Sequence, residues 1–115
     1  MEGDYMLIKK PWGYEDIWAS GPYYIGKILF IEKDKRLSLQ YHIVKKETIR
    51  VLDGVLELEM GSDTLQLKEG ESCFIDSEVI HRMKGITDCH ILEVSTPHMQ
   101  DVVRLEDDHG RIVQG

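Results

Sequence analysis

The stretch Thr48-Ile49-Arg50-Val51-Leu52-Asp53-Gly54-Val55-Leu56-Glu57-Leu58-Glu59-Met60 decides the fold class. Two short runs rich in aliphatic residues flank an Asp-Gly pair, which supplies the positive φ angles of a two-residue hairpin turn. Alternation puts Ile49 and Val51 on one face and Thr48, Arg50 and Leu52 on the other. The same grammar continues downstream. Gly61-Ser62-Asp63 and Lys68-Glu69-Gly70-Glu71 read as turns, with strands predicted over 64–67, 72–75, 80–83 and 89–94, and upstream over 24–32 and 38–43. No window carries a helical stripe. About seven or eight closely spaced strands predict an all-β barrel or sandwich whose edges are hidden by closure or by pairing with a second subunit.

The chain has 115 residues, 42% hydrophobic and 30% charged, which supports one compact domain and excludes wholesale disorder. The expected organisation is a single domain over 1–115 with an N-terminal arm over 1–23 and a charged tail over 100–115, the tail being a short helix or an arm. Fourteen basic against 21 acidic residues leave a net charge of −7, which argues against a sequence-independent nucleic-acid binder. No apolar run approaches the roughly 20 residues that span a bilayer, and the start has no signal-peptide pattern. A cytoplasmic protein bound to neither nucleic acid nor membrane is therefore expected. Cys73 and Cys89 are too few for a disulfide scaffold and read as thiols in a reducing compartment.

Chemistry concentrates around two of the five histidines. Gln40 and His42 are i and i+2 on one strand and so share a face. Glu47 is in phase with Ile49 and Val51, where an ionised carboxylate costs several kcal/mol unless a cation meets it. His81 opens the inward set of another strand, with Met83. Gln40, His42, Glu47 and His81 are thus expected to converge on one divalent metal inside the barrel mouth. Imidazole, carboxylate and amide oxygen suit Zn, Mn, Fe, Co or Ni, and the lack of thiolates argues against a closed structural zinc site.

Gln40-x-His42-x4-Glu47-x6-Gly54 resembles the first motif of cupins, with Gln in place of the first His, and Gly70-x10-His81 resembles the second. Asp34 stands where that pattern has its first Gly, Asp76 and Glu78 replace its Pro and second-motif Gly, and Gly85 replaces its Asn. A narrower resemblance runs through Lys10-Pro11-Trp12-Gly13-Tyr14-Glu15, Arg36 to His42, Ile80-His81-Arg82 and Asp101-Val102-Val103-Arg104-Leu105-Glu106-Asp107. These segments are similar to the isomerase-type cupin domain of type II mannose-6-phosphate isomerases, which also occurs alone. That resemblance implies a single jelly-roll cupin barrel, zinc as the usual metal, and an aldose-ketose isomerase acting on mannose 6-phosphate and fructose 6-phosphate. Many such domains have three consecutive histidines where this chain reads His42-Ile43-Val44, a departure that removes polar groups from that stretch.

Such an isomerisation passes through an enediol and needs a base within about 3 Å of the moving proton. Glu93 is the leading base, since an acid among Ile91, Leu92 and Val94 is out of place in a last strand. Alternation leaves its face open: if His90, Leu92 and Val94 point inward, His90 is the reciprocal candidate. A sugar phosphate also needs cations. Lys27, Arg104 and Arg111 are available, and the resemblance favours Arg104. Trp12, Tyr14 and Trp18 either form a lid over the mouth or pack an N-terminal strand, and Glu106-Asp107-Asp108 reads as a solvated acidic run. Thr48, Arg50 and Leu52 give an outward face suited to a homodimer. Cupin barrels host many functions, so a non-catalytic sugar-binding cupin and an iron-dependent dioxygenase stand as alternatives.

Overall fold

A computed structural model describes residues 6–111. The start of the expected arm (1–5) and the end of the expected tail (112–115) lie outside the described residues. Eleven strands follow in order, with no helix among the described residues: β1 (Met6–Lys10), β2 (Gly13–Ser20), β3 (Ile25–Ile31), β4 (Leu39–Tyr41), β5 (Glu47–Asp53), β6 (Val55–Met60), β7 (Asp63–Lys68), β8 (Ser72–Ile75), β9 (His81–Gly85), β10 (Cys89–Ser95) and β11 (Val103–Glu106). They form a six-stranded sheet, β1-β2-β3-β10-β5-β8, and a five-stranded sheet, β11-β4-β9-β6-β7. All the pairings are antiparallel.

The Asp-Gly turn lies where expected, but β5 and β6 do not pair as a hairpin: β5 sits between β10 and β8 in the larger sheet and β6 between β9 and β7 in the smaller, so the turn carries the chain from one sheet to the other. Gly54 has φ +82°, and a Cβ there would meet the Asp88 carbonyl oxygen at 2.3 Å, so both the turn and the close approach require glycine. Along β5, Glu47, Ile49 and Val51 are buried while Thr48, Arg50 and Leu52 are exposed. The core is built from such inward faces: Leu29, Ile31, Ile49, Val51, Leu56, Leu58, Ile75, Met83 and Ile91 fill the space between the sheets. Each fully buried aliphatic side chain contributes about 1.5–3 kcal/mol.

Both ends of the chain differ from expectation. The described part of the expected arm, 6–23, is not an arm: β1 and β2 form a hairpin whose second strand pairs with β3. Trp12, at the hairpin turn, enters the core, and its carbonyl accepts the Glu32 N–H at 2.9 Å. Gly13 makes this possible, since a Cβ there would lie 1.8 Å from the Phe30 carbonyl oxygen. Tyr14 stacks on Phe30, and the exposed Trp18 indole covers Gly26. The aromatic residues therefore brace the hairpin and form no lid.

The described part of the tail, 100–111, is neither a helix nor a free arm. Its β11 pairs with β4, in register Arg104↔Gln40, and supplies the missing edge of the smaller sheet. The acidic run is not merely solvated: Glu106 pairs with Arg82, Asp108 with Arg36 and Asp107 with Arg111. The buried Arg82 is the physical reason, because its guanidinium needs anions that this segment provides.

Cys73 and Cys89 are both free thiols, half-buried and buried respectively. Burial pushes the Cys89 thiol up to about 11, assisted by Asp53 and Asp88. No helix of the described residues is long and apolar enough to cross a membrane.

Candidate metal centre and catalytic cavity

Three short pieces of chain meet at one end of the barrel. His42 follows β4, Glu47 opens β5 and His81 opens β9. One ligand atom from each lies within 4.8 Å of the others, and all three residues are buried. The two rings face each other with centroids 5.1 Å apart. Gln40 is opposite His81 in the β4–β9 register and lines the adjoining cavity, where its Oε1 accepts the Ser38 hydroxyl at 3.1 Å.

The hydrogen bonds around the histidines define their chemistry. A carbonyl oxygen only accepts, so Nδ1 of His42 donates to Asp101 O at 2.6 Å, and Nδ1 of His81 donates to Val79 O at 2.9 Å. Each ring therefore turns Nε2 toward the cluster. Those two Nε2 atoms and Glu47 Oε2 are buried without a hydrogen-bond partner, although His42 Nε2 lies only 3.0 Å from Glu47 Oε2. Lone pairs so directed suit a cation among them, and two imidazoles with a carboxylate, backed by carbonyls on the far ring nitrogens, match the usual surroundings of a divalent metal. Burial lowers the pKa of His81, against the pull of Val79 and Glu47, which favours the neutral ring a metal needs. Burial opposes ionisation of Glu47, yet His42, Lys45 and His81 hold its carboxyl down to about 2. The residues present fit a metal ion.

A cavity of about 320 Å³ adjoins this cluster and reaches across both sheets. Glu93 faces into it and is only 3% exposed. The β10 registers Glu93↔Lys27 and Glu93↔Ile49 settle the face that alternation left open, because Ile49 is in the core. His90 consequently lies on the outer surface, donating Nδ1–H to Asp53 at 3.0 Å while Tyr14 OH approaches its Nε2 at 3.4 Å. As a candidate base it is corrected: the pleat carries it away from the cavity.

Lys27 does face the cavity, but its ammonium is engaged by Glu15 at 3.2 Å. Arg104 lines the cavity from β11, and its Nε is buried without a hydrogen-bond partner. Arg111 adjoins Arg104 in two smaller neighbouring cavities and is paired with Asp107.

Sequence reasoning passed over two cavity residues. Lys45 is 8% exposed, with Nζ 3.5 Å from Glu47 Oε2 and 3.2 Å from Glu93 Oε2. Burial disfavours its charge, but Glu93 and Glu47 raise its pKa nonetheless. Burial and Glu47 push the Glu93 carboxyl upward, against the pull of Lys45 and Lys27. Lys45 was findable, since it stands two residues before Glu47 and inherits its inward phase. Glu15 lies within a motif that resemblance singled out, yet nothing local signals its ion pair. Ile43 and Val44, where related domains have histidines, are exposed, so that departure leaves the cavity lining intact.

Residues 3–107 match the family described as the C-terminal domain of mannose-6-phosphate isomerase. The chain belongs to that family. It is 32% identical over 109 residues to the xanthan biosynthesis protein XanB of Xanthomonas campestris pv. campestris, covering 90% of this chain and 23% of XanB. Over 106 residues it is 27% identical to the mannose-1-phosphate guanylyltransferase RfbM of Salmonella typhimurium, covering 88% of this chain and 22% of RfbM. The chain thus spans less than a quarter of the length of these relatives.

Among solved structures it resembles KdgF from Halomonas sp., with TM-score 0.75, 16% identity, and coverage of 84% of this chain and 88% of KdgF. An RmlC-like cupin from Shewanella frigidimarina gives TM-score 0.74 and 12% identity, covering 84% and 87%. At such identities the likeness shows the fold, a cupin β-barrel, and this domain is a single one.

Proposed function

We propose that this cupin is a metal-dependent sugar-phosphate isomerase, interconverting mannose 6-phosphate and fructose 6-phosphate. The observation that carries the reading is the trio of partnerless buried ligand atoms on His42, Glu47 and His81 beside a cavity that contains the buried Lys45–Glu93 pair. Family membership supports the substrate class.

His42, Glu47 and His81, with Gln40 beside them, would hold one divalent ion, zinc by preference. When bound, that ion supplies Lewis-acid polarisation and a template for the sugar oxygens. Glu93 is the base: its carboxylate takes the proton from C2 of the aldose to give an enediolate, the O2 proton passes to O1, and protonated Glu93 returns its proton to C1, leaving C2 as the ketose carbonyl. Lys45 holds that carboxylate in place and offsets its charge when the proton leaves. Lys27, neutralised by Glu15, lines the sugar side, whereas Arg104 has a free Nε to offer a phosphate. The outer face of the larger sheet, where Leu52, Phe74 and Val94 are exposed, suits a homodimer, which sedimentation of the purified protein tests.

The deciding experiment is elemental analysis followed by a mannose 6-phosphate turnover assay with Zn, Mn, Fe, Co and Ni in turn. Stoichiometric metal with fructose 6-phosphate formation is expected. Sugar binding without turnover at every metal loading would leave a non-catalytic binding cupin, and oxygen uptake would point to a dioxygenase.

A further inference from the structure

Asp101, between β10 and β11, directs four hydrogen bonds at one short stretch of chain. Its main-chain carbonyl accepts Nδ1–H of His42, and its carboxylate accepts the backbone N–H groups of Ile43 (2.9 Å), Val44 (2.7 Å) and Lys45 (2.9 Å). Three successive amides aimed at one carboxylate form an anion-binding nest. The stretch they belong to carries two groups of the site, the His42 ring and the Lys45 ammonium. The nest therefore sets the path of the loop, and the carbonyl on the same residue sets the tautomer and tilt of the ring.

The far end of the C-terminal segment is held separately, by Arg36 with Asp108 and by Arg82 with Glu106. Asp101 is the residue of this segment that hydrogen-bonds a candidate ligand ring, whereas β11 meets Gln40 through strand pairing. We infer that Asp101 is a positioning residue whose carboxylate nest presents His42 to the metal, so that docking of the C-terminal segment and metal affinity are linked. The affinity part rests on the metal reading above. Linkage is reciprocal: metal at His42 must tighten the segment as much as the docked segment tightens the metal.

Asp101→Ala keeps the main-chain carbonyl and removes only the nest, so any effect on His42 has to travel through the loop. Zinc affinity is measured against a competing chelator, and the His42 ring tautomer by nitrogen chemical shifts in the metal-free protein. Asp101→Ala is expected to weaken zinc about 10–100-fold, the range found when partners of metal-bound histidines are removed. The single Nδ1–H tautomer should become a mixture. Asp108→Ala, which loosens the far end alone, should change neither, and metal should protect the 98–106 segment from proteolysis in wild type but not in Asp101→Ala. Asp101→Asn, isosteric with the native residue, serves as the second variant if the alanine protein does not fold.

Unchanged affinity and tautomer in the Asp101 variants, or an equal loss in Asp108→Ala, would overturn the inference. Should wild type bind no metal at all, the isomerase reading falls, while the tautomer of the metal-free protein still decides whether Asp101 positions His42.

Discussion

An ionised carboxylate as buried as Glu47, in contact with Lys45 and facing two imidazoles, is stable only while cations surround it, since removing a charge from water costs several kcal/mol. Glu47 and Glu93 share Lys45 but differ in role, and substitution separates them. Glu47→Gln should strip the metal, read by elemental analysis, because it removes a ligand oxygen. Glu93→Gln should retain metal and lower kcat about 10²–10⁴-fold, the usual contribution of a positioned base; retained activity would remove it from the chemistry. Arg104→Ala should raise KM for phosphorylated sugar about 10–100-fold, the equivalent of about 1.5–3 kcal/mol for a charge-assisted hydrogen bond. Unphosphorylated sugar should be much less affected, and equal losses for both would discard the phosphate contact. At this scale the sequence signals Glu47 and His81, because a charged or ligating group in phase with Ile49 and Val51 or with Met83 violates the core pattern, and His42 through the face it shares with Gln40; all three are buried. Glu93 and His90 were not separable, because both positions break the pattern of their strand and only a neighbour identifies its inner face.

The turns show how an element keeps its geometry when the residue best suited to it is absent. Asp34 and Glu78 stand at motif positions where cupins have glycine, and both adopt the left-handed conformation, with φ 67° and 68°. The Glu78 N–H donates to His42 O at 2.6 Å, tying that turn to the ligand loop. A non-glycine residue there costs about 1–2 kcal/mol, of which the greater freedom of unfolded glycine takes back about 0.5–1. Glu78→Gly should therefore stabilise the barrel by about 0.5–1 kcal/mol, seen as a higher midpoint in urea with unchanged slope; a lower midpoint would show that the Glu78 side chain carries an unrecognised contact. Strand positions in the middle of the chain were readable from alternation and Asp-Gly or Gly-rich turns. β1, β2 and β11 were not, because their inward faces mix Glu15, Arg104 and other polar groups that line a cavity instead of a core.

Over the whole molecule the cavity opens where Lys27, Lys45, Glu47, Glu93 and Arg104 stand between the sheets in place of the aliphatic residues of the core. The C-terminal segment then closes one wall through Asp101, β11 and the pairs at Arg36, Arg82 and Arg111. Acid should open that wall first. Burial works against ionisation of Asp107, but Arg111 and the backbone N–H groups of Arg111 and His109 hold its carboxyl at about 2, below the ordinary 3.8. A group depressed on folding contributes its full stabilisation above the unfolded value and loses it as pH falls through the folded one. Protease cleavage within 98–111 should accordingly rise between about pH 4 and pH 2, ahead of loss of the barrel's circular dichroism. Simultaneous loss of both would mean the segment is no weaker than the barrel.

Periodicity and turn chemistry by themselves determined the all-β class, the turn at Asp53-Gly54 and the inward phase of Glu47 with Ile49 and Val51, because each depends on spacing of a few residues along the chain; that β5 and β6 enter different sheets did not follow from them. Which face of β10 looks inward, the pairing of Lys27 with Glu15, the place of Lys45 between two carboxylates and the grip of Asp101 on the His42 loop were decided by tertiary structure alone. Each is a contact between strands or loops far apart in sequence, and a cross-sheet register or an ion pair leaves no periodic trace in either partner.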